Sequence, residues 1–309
     1  MKKTAYLIVF SLIIQSCQKK VEFDLKNNAP KMSVNSILQP DSLCKVYISE
    51  SLSPIDVINF QSITDANIEI WQNKSFLGFL DTYIKPKTNP GIGYYTNPDI
   101  LIQKSDSFEL KISHNDYTSV NAYTEIPTPP TVSSIEMSTY SIDTLPLPGY
   151  SLDANIKLTI DDNSTEENYY AVSFFYYADY IDTDYWAGRD SDTLYKKRIL
   201  FEHNSLSSLQ TYMNNDGIII SDELFNGQRK NFSVLIEDYI NIRYSDFTQF
   251  YIEIKSISKD YYLYQKTLKE YYQSSGNPFS EPITVYNNIN NGYGIFAGYN
   301  SVIDTVMIN

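Results

Sequence analysis

Cysteine is almost missing from this chain: its 309 residues hold only Cys17 and Cys44. A disulfide framework is thereby excluded if either one is otherwise engaged. Histidine is as scarce, with His114 and His203 far apart. No HExxH, HxH or CxxC spacing occurs, so neither a zinc site nor any cofactor is expected. Positive charge is short too, 24 Lys and Arg against 37 Asp and Glu, for a net charge of −13. That balance argues against a nucleic-acid partner and against electrostatic attachment to anionic lipid heads. The apolar run Thr4 to Ile14 falls short of the roughly 20 residues that cross a bilayer as a helix. Ala and Leu, the strong helix formers, are sparse, whereas Tyr reaches 28 and Phe 15. Aromatic-rich, Leu-poor composition favours pleated sheets, so the fold class expected is mainly β.

The N-terminus carries the sharpest local signal. Lys2 and Lys3 precede the apolar run, and Ser16 stands directly before Cys17. A charged start, a short apolar stretch and a small residue at the cut describe a secretory leader over residues 1–16. A cysteine at that cut looks like a bacterial lipobox, in which Cys17 is acylated, palmitate included, and becomes the mature N-terminus. Losing Lys2 and Lys3 with the leader takes the formal charge from −13 to −15. Membrane attachment would therefore come from acyl chains, each buried CH₂ contributing about 0.8 kcal/mol. Residues 17–31 are charged, with Asn27-Asn28 and Pro30, and read as a tether. Cys44 sits in the alternating run Leu43 to Ile48, as a buried apolar residue of a strand.

From Met32 the pattern alternates. Residues 32–127 read as an immunoglobulin- or transthyretin-like β-sandwich, with Asn67 to Trp71 and Phe108 to Ile112 as half-buried strands. Lys85 to Pro98, rich in Pro and Gly, is expected to be a surface loop. Pro127, Pro129 and Pro130 cannot continue a sheet and mark a boundary. Residues 131–309 form a second, larger β unit that opens with a long loop or edge hairpin up to Tyr150. Tyr169 to Tyr177 is apolar on both faces, as a central strand should be. One helix is expected, Lys259 to Ser274, capped by Ser258 and carrying Tyr261, Tyr264, Leu268 and Tyr271 on one stripe that covers a sheet or its edge.

Three segments carry a resemblance. They are Leu52-Ser53-Pro54, Ser221 to Gly227 (SDELFNG), and the C-terminal run from Ser256 through Asn277-Pro278-Phe279 to Asn291 to Gly298 (NGYGIFAG). Together they make the chain similar to the domain-of-unknown-function family 4249 of Bacteroidota-type outer-membrane lipoproteins. The resemblance implies a β-rich envelope lipoprotein, an accessory or partner of a TonB-dependent transporter, at a periplasmic or cell-surface face left open. It supplies no catalytic residues to carry over.

Candidate chemistry is thin. NGYGIFAG lacks the GxGxxG spacing and the following helix of a phosphate loop, so a tight turn into a final strand is expected. Asp179, Asp182, Asp184, Asp190 and Asp192 read as a solvated acidic loop, with calcium as the alternative, although the EF-hand spacing is absent. Within the same stretch Tyr180, Tyr185 and Trp186 form a candidate binding surface, or else close the end of the sandwich. Neither histidine has a GxSxG serine to serve, and no carboxylate pair stands out for glycoside hydrolysis. The expected role is non-enzymatic, with a free-standing glycan- or peptide-binding module as the alternative and a hydrolase behind both.

Overall fold

The computed structural model describes residues 29–308, apart from 53–60, 86–90, 104–105, 145–149, 165, 183–192, 201–202, 206–211, 215–216, 241–247 and 276–279. The expected leader, Cys17 and all but the last residues of the expected tether lie outside it. The chain opens with β1 (Met32–Leu38), β2 (Val46–Glu50), β3 (Asn67–Gln72), β4 (Ser75–Phe79), β5 (Thr82–Ile84), β6 (Tyr94–Thr96), β7 (Ser107–Ser113) and β8 (Val120–Glu125). Beyond the prolines come β9 (Thr131–Thr144), β10 (Tyr150–Asp161), β11 (Tyr169–Asp182), β12 (Thr193–Leu200), β13 (His203–Ser205) and β14 (Tyr212–Asn214). Then follow β15 (Gly217–Ser221), β16 (Arg229–Ile240), β17 (Gln249–Ile257), helix α1 (Lys259–Ser274) and β18 (Tyr293–Met307). The protein is mainly β, in sandwich-like units with one helix among the described residues.

One long sheet, ordered β14-β15-β11-β17-β18-β1-β2-β6-β5 with β12 also on β11, faces two four-stranded sheets, β4-β3-β7-β8 and β13-β16-β10-β9. Two-residue periodicity builds a core under each. Met32, Val34, Val46 and Ile48 of the long sheet meet Ile68, Ile70, Phe108 and Leu110. At its other half, Val172, Phe174, Ile252 and Ile254 meet Leu152, Ile156, Leu158 and Val234.

The two halves share β18. Its residues 293–298 pair in parallel with β1, and residues 299–307 pair antiparallel with β17. Phe296 and Ile289 pack into the first core, so the unit spanning 131–309 lends its far end to the unit spanning 32–127. The prolines after Ile126 mark a change of core, across which β18 keeps one continuous sheet.

Helix α1 covers the back of that sheet, as a single amphipathic helix should. Ser258 caps it, accepting the Tyr261 N–H, and also accepts the Gly298 N–H at 3.3 Å. Its buried face differs from the expected stripe: Tyr261 and Tyr262 are buried against Ala171, Ile219, Ile295 and Ala297, while Tyr271 is 45% exposed. The first turn lies over the sheet and the last turn rises off it. Two further expectations change. Inside the expected loop 85–98, β6 pairs with β2 and β5. Buried Tyr95 there accepts the Ala66 N–H and donates to the Ile63 carbonyl, each at 3.0 Å, so its hydroxyl meets no unpaired surroundings. The expected loop or hairpin after the prolines is a hairpin, with β9 as the long edge strand beside β10.

Candidate interaction surfaces

Strand β3 sends Ile68 and Ile70 inward and Glu69 and Trp71 outward. Register carries the outward row across the sheet: Trp71 lies opposite Phe76 on β4 and Glu109 on β7, and Glu109 opposite Tyr123 on β8. One step along, Glu69 lies between Phe79 and Lys111. Phe76 and Phe79 are each 46% exposed and Tyr123 is 58% exposed. The rings are fixed rather than loose. Trp71 and Phe76 meet edge to face at 5.3 Å, Phe76 and Phe79 at 5.0 Å. Trp71 donates its indole N–H to Glu69 at 3.0 Å, and the Lys111 ammonium stands 4.2 Å from the indole ring. The Tyr123 hydroxyl donates to Glu109 at 2.6 Å. A shallow groove of about 380 Å³ on the same face is lined by Asn67, Glu69, Glu109, Lys111 and Asn121. Rigid aromatics ringed by charge are the composition of a contact surface.

The glycine-rich C-terminal segment is a joint between sheets. Asn291 takes a left-handed φ of 62° and starts the turn into β18. Gly294, at φ 112°, passes so close to β1 that a β-carbon would collide with the Val34 carbonyl. Gly298 leaves 2.7 Å between such a carbon and the Glu125 carbonyl oxygen, where the end of β8 crosses β18. Asn288 mimics a strand: its side chain accepts the Phe296 N–H at 2.9 Å and donates to the Phe296 carbonyl at 2.7 Å. It also donates to the Tyr123 carbonyl, and Asn290 bridges Asn121. The expected tight turn is thus present, and the Asn288 side chain and the Asn290 main chain before it close the edge of β8.

A family model for a domain of unknown function (DUF4249) matches residues 18–303, nearly the whole chain. The chain belongs to this family. No curated protein matches it.

Within this DUF4249 chain, the SDELFNG segment forms the turn after β15. Asp222 is buried at its head and accepts the Asn168 N–H at 2.7 Å; burial raises its carboxyl above the usual range. Asp162 holds the turn's other end through the Gly227 N–H at 2.7 Å, and accepts the Tyr170 hydroxyl at 2.6 Å. Cys44 is core, 1% exposed, its thiol pushed up to about 12 by burial and so kept protonated. His114 accepts the Asp116 N–H on Nδ1, so its neutral ring carries the proton on Nε2, 2.8 Å from Asp65. It ties down the loop between β7 and β8.

A cleft of about 530 Å³ opens where the two units meet, lined by Asp106, Glu125, Glu166, Glu167, Ser258 and Lys259 among others. Two of its carboxylates are already engaged. The amides of Asn73 and Gln72 hold Asp106 below the usual carboxylate range, and Lys259, 2.9 Å away, does the same for Glu167.

Of the residues singled out from sequence, Cys17, Tyr185 and Trp186 lie outside the described residues, as do Asp184, Asp190 and Asp192. Tyr180 stands on β11 opposite Tyr195 of β12, and Asp179 and Asp182 are also on that strand, where a loop was expected. Neighbouring Tyr177 is 46% exposed, its ring edge-on to Phe175 and Tyr251. Among the described residues, no group of three or more His, Cys, Asp or Glu is placed to hold a metal ion. The aromatic face around Trp71 was missed. Its signal was there: Trp71 follows Ile70 directly, breaking the alternation at a position due to face water.

Proposed function

We propose that this chain is a lipid-anchored outer-membrane protein that works by contact, without catalysis, as accessory or partner of a TonB-dependent transporter. The leader and Cys17 support the anchor, and the acidic charge leaves attachment to acyl chains. The observation that carries the contact role is the outward row of Trp71, Phe76, Phe79 and Tyr123, held in water by the sheet. Pull-down of the anchored chain from detergent-solubilised envelopes is expected to recover a β-barrel receptor. Recovery of the lipoprotein with no such receptor would defeat the proposal, as would mass spectrometry finding Cys17 unmodified.

A second reading, a free-standing glycan- or peptide-binding module, draws on the polar groove beside the rings. Aromatic stacking plus amide and carboxylate partners suits sugar hydroxyls. Binding on a glycan array, abolished by Trp71→Ala while receptor recovery is unchanged, would favour it.

A further inference from the structure

A sheet edge presents unpaired N–H and C=O groups that another chain can join, and native proteins blunt such edges. Most edges here are blunted. Strands β5, β13 and β14 are three residues long. The sequence of β12 includes Lys196, Lys197 and Arg198. Strand β9 exposes Thr131, Ser133, Glu136 and Ser138. The edge of β8 is closed by Asn288 and Asn290.

Strand β4 differs. Ser75-Phe76-Leu77-Gly78-Phe79 has neither charge nor proline, and Phe76, Leu77 and Phe79 are 46%, 36% and 46% exposed. It ends its sheet, and among the described residues no strand pairs with its outer side. A bulge at Leu77, which has no partner across the ladder with β3, is the blunting device this strand does carry. The Asn97 amide caps the Phe79 carbonyl at 2.9 Å, leaving Ser75 to Gly78 as the open stretch.

We infer that β4 is a docking edge, which takes an extended, apolar strand from a protein partner. That strand would pair with Ser75 to Gly78 and lay alternate side chains against Phe76, Phe79 and Trp71. The chemistry of the edge selects this occupant. A sugar would stack on rings but leave the main-chain groups unanswered. Bilayer hydrocarbon offers them no donor or acceptor at all. A second copy of the anchored chain brings another net charge of −15, the −13 of the full sequence less Lys2 and Lys3, and is repelled. The inference deepens the proposed contact role and rests on it, with the transporter as the source of the strand.

The test uses the full-length, anchored chain in envelopes. Photo-crosslinking residues placed singly at Ser75, Leu77 and Phe79 should join one linear segment of the receptor, stepping along it in strand register. Receptor recovery should fall about tenfold or more in Phe76→Lys/Phe79→Lys and, separately, in Leu77→Pro. Proline is tolerated at bulges, and an unchanged unfolding midpoint would show that both variants fold. Crosslinks to lipid, glycan or a second copy would overturn the inference. So would equal receptor recovery by wild type and both variants, which would leave the proposed function standing. Absence of receptor from wild type and variants alike would instead remove that function, and this inference with it.

Discussion

The sheets β13-β16-β10-β9 and β4-β3-β7-β8 each cover half of the long sheet and bury alternate residues against it, yet their outward faces differ. On the first, outward positions hold Asn155, Thr159, Asn231 and Ser233, which answer one another. Ser134 donates to Thr159, Thr159 to Asn231 and Ser233 to Asn155, at 2.9 to 3.0 Å. Arg229 and Ser133 both bond Asp161 at the end of that ladder. On the second, the corresponding positions hold Trp71, Phe76, Phe79 and Tyr123. Both inward faces are packed, so sandwich formation does not require aromatics outside. Three exposed rings lose hydrophobic stabilisation by facing water. That difference separates what the fold needs from what it does not, and under the proposed function the contact surface lies on the N-terminal unit.

The comparison breaks first if the two halves are not one cooperative body. Phe296 is 0% exposed, on the strand both units share. Phe296→Ala should cost about 3–5 kcal/mol. Because β18 pairs with both β1 and β17, the loss should appear as one shifted transition in denaturant, read by tyrosine fluorescence and far-ultraviolet dichroism together. Two separated transitions would show that the sandwiches unfold independently.

The joint between the sheets comes next. Asn288→Ala removes the partner of both main-chain groups of Phe296 and one bond to Tyr123, for an expected loss of about 1–3 kcal/mol. Wild-type stability in this variant would mean that the glycine turn alone positions β18.

Smaller effects sharpen the contrast of outward faces. Phe76→Ala, losing one half-exposed ring and its two edge-to-face contacts, should cost about 1–2 kcal/mol. Thr159→Ala cuts the centre of a polar ladder and should cost about 1 kcal/mol. Only the first should reduce receptor recovery. If both substitutions left recovery intact, the assignment of contact to the aromatic face would be wrong.

Local signals account for what could be read from the chain before its structure. The run Ile156 to Ile160 alternates because one face is buried, Ser258 announces α1 because its side-chain oxygen serves a first-turn N–H that has no partner within the helix, and the glycines of NGYGIFAG mark close approach. The parallel pairing of β1 with β18 joins the ends of the fold and has no local signature. The aromatic face was hidden for a related reason. Trp71 stands at a position due to face water, but Phe76 looks like a further core residue until its register with Trp71 shows which way it points. Tyr180, Tyr185 and Trp186 stand out by the density of aromatics in sequence, which does not tell buried from exposed. Strand β6 was masked by the Pro and Gly around it, whereas Tyr95 draws the segment into the core.

Two carboxylates distinguish the halves of the second unit by pH. Burial raises Asp222, so in the folded protein it binds its proton at a pH where the unfolded chain, near 3.9, has already lost it. Stability from this group is therefore fully present below the unfolded value and is lost as pH rises through the folded one. Half-buried Asp161 is lowered by its bond to Arg229, and its contribution has the opposite sign, present above the unfolded value and lost as pH falls through the folded one. Asparagine at either position is insensitive to pH. Asp222→Asn keeps an oxygen for the Asn168 N–H, so its stability relative to wild type should improve as pH rises from the acid range towards neutrality. Asp161→Asn should lose ground over the same interval, since it gives up a charged partner of Arg229. Unfolding midpoints of the three proteins, measured at several pH values from acid to neutral, would check both slopes. Parallel slopes for the two variants would contradict the assignment of burial to one carboxylate and pairing to the other.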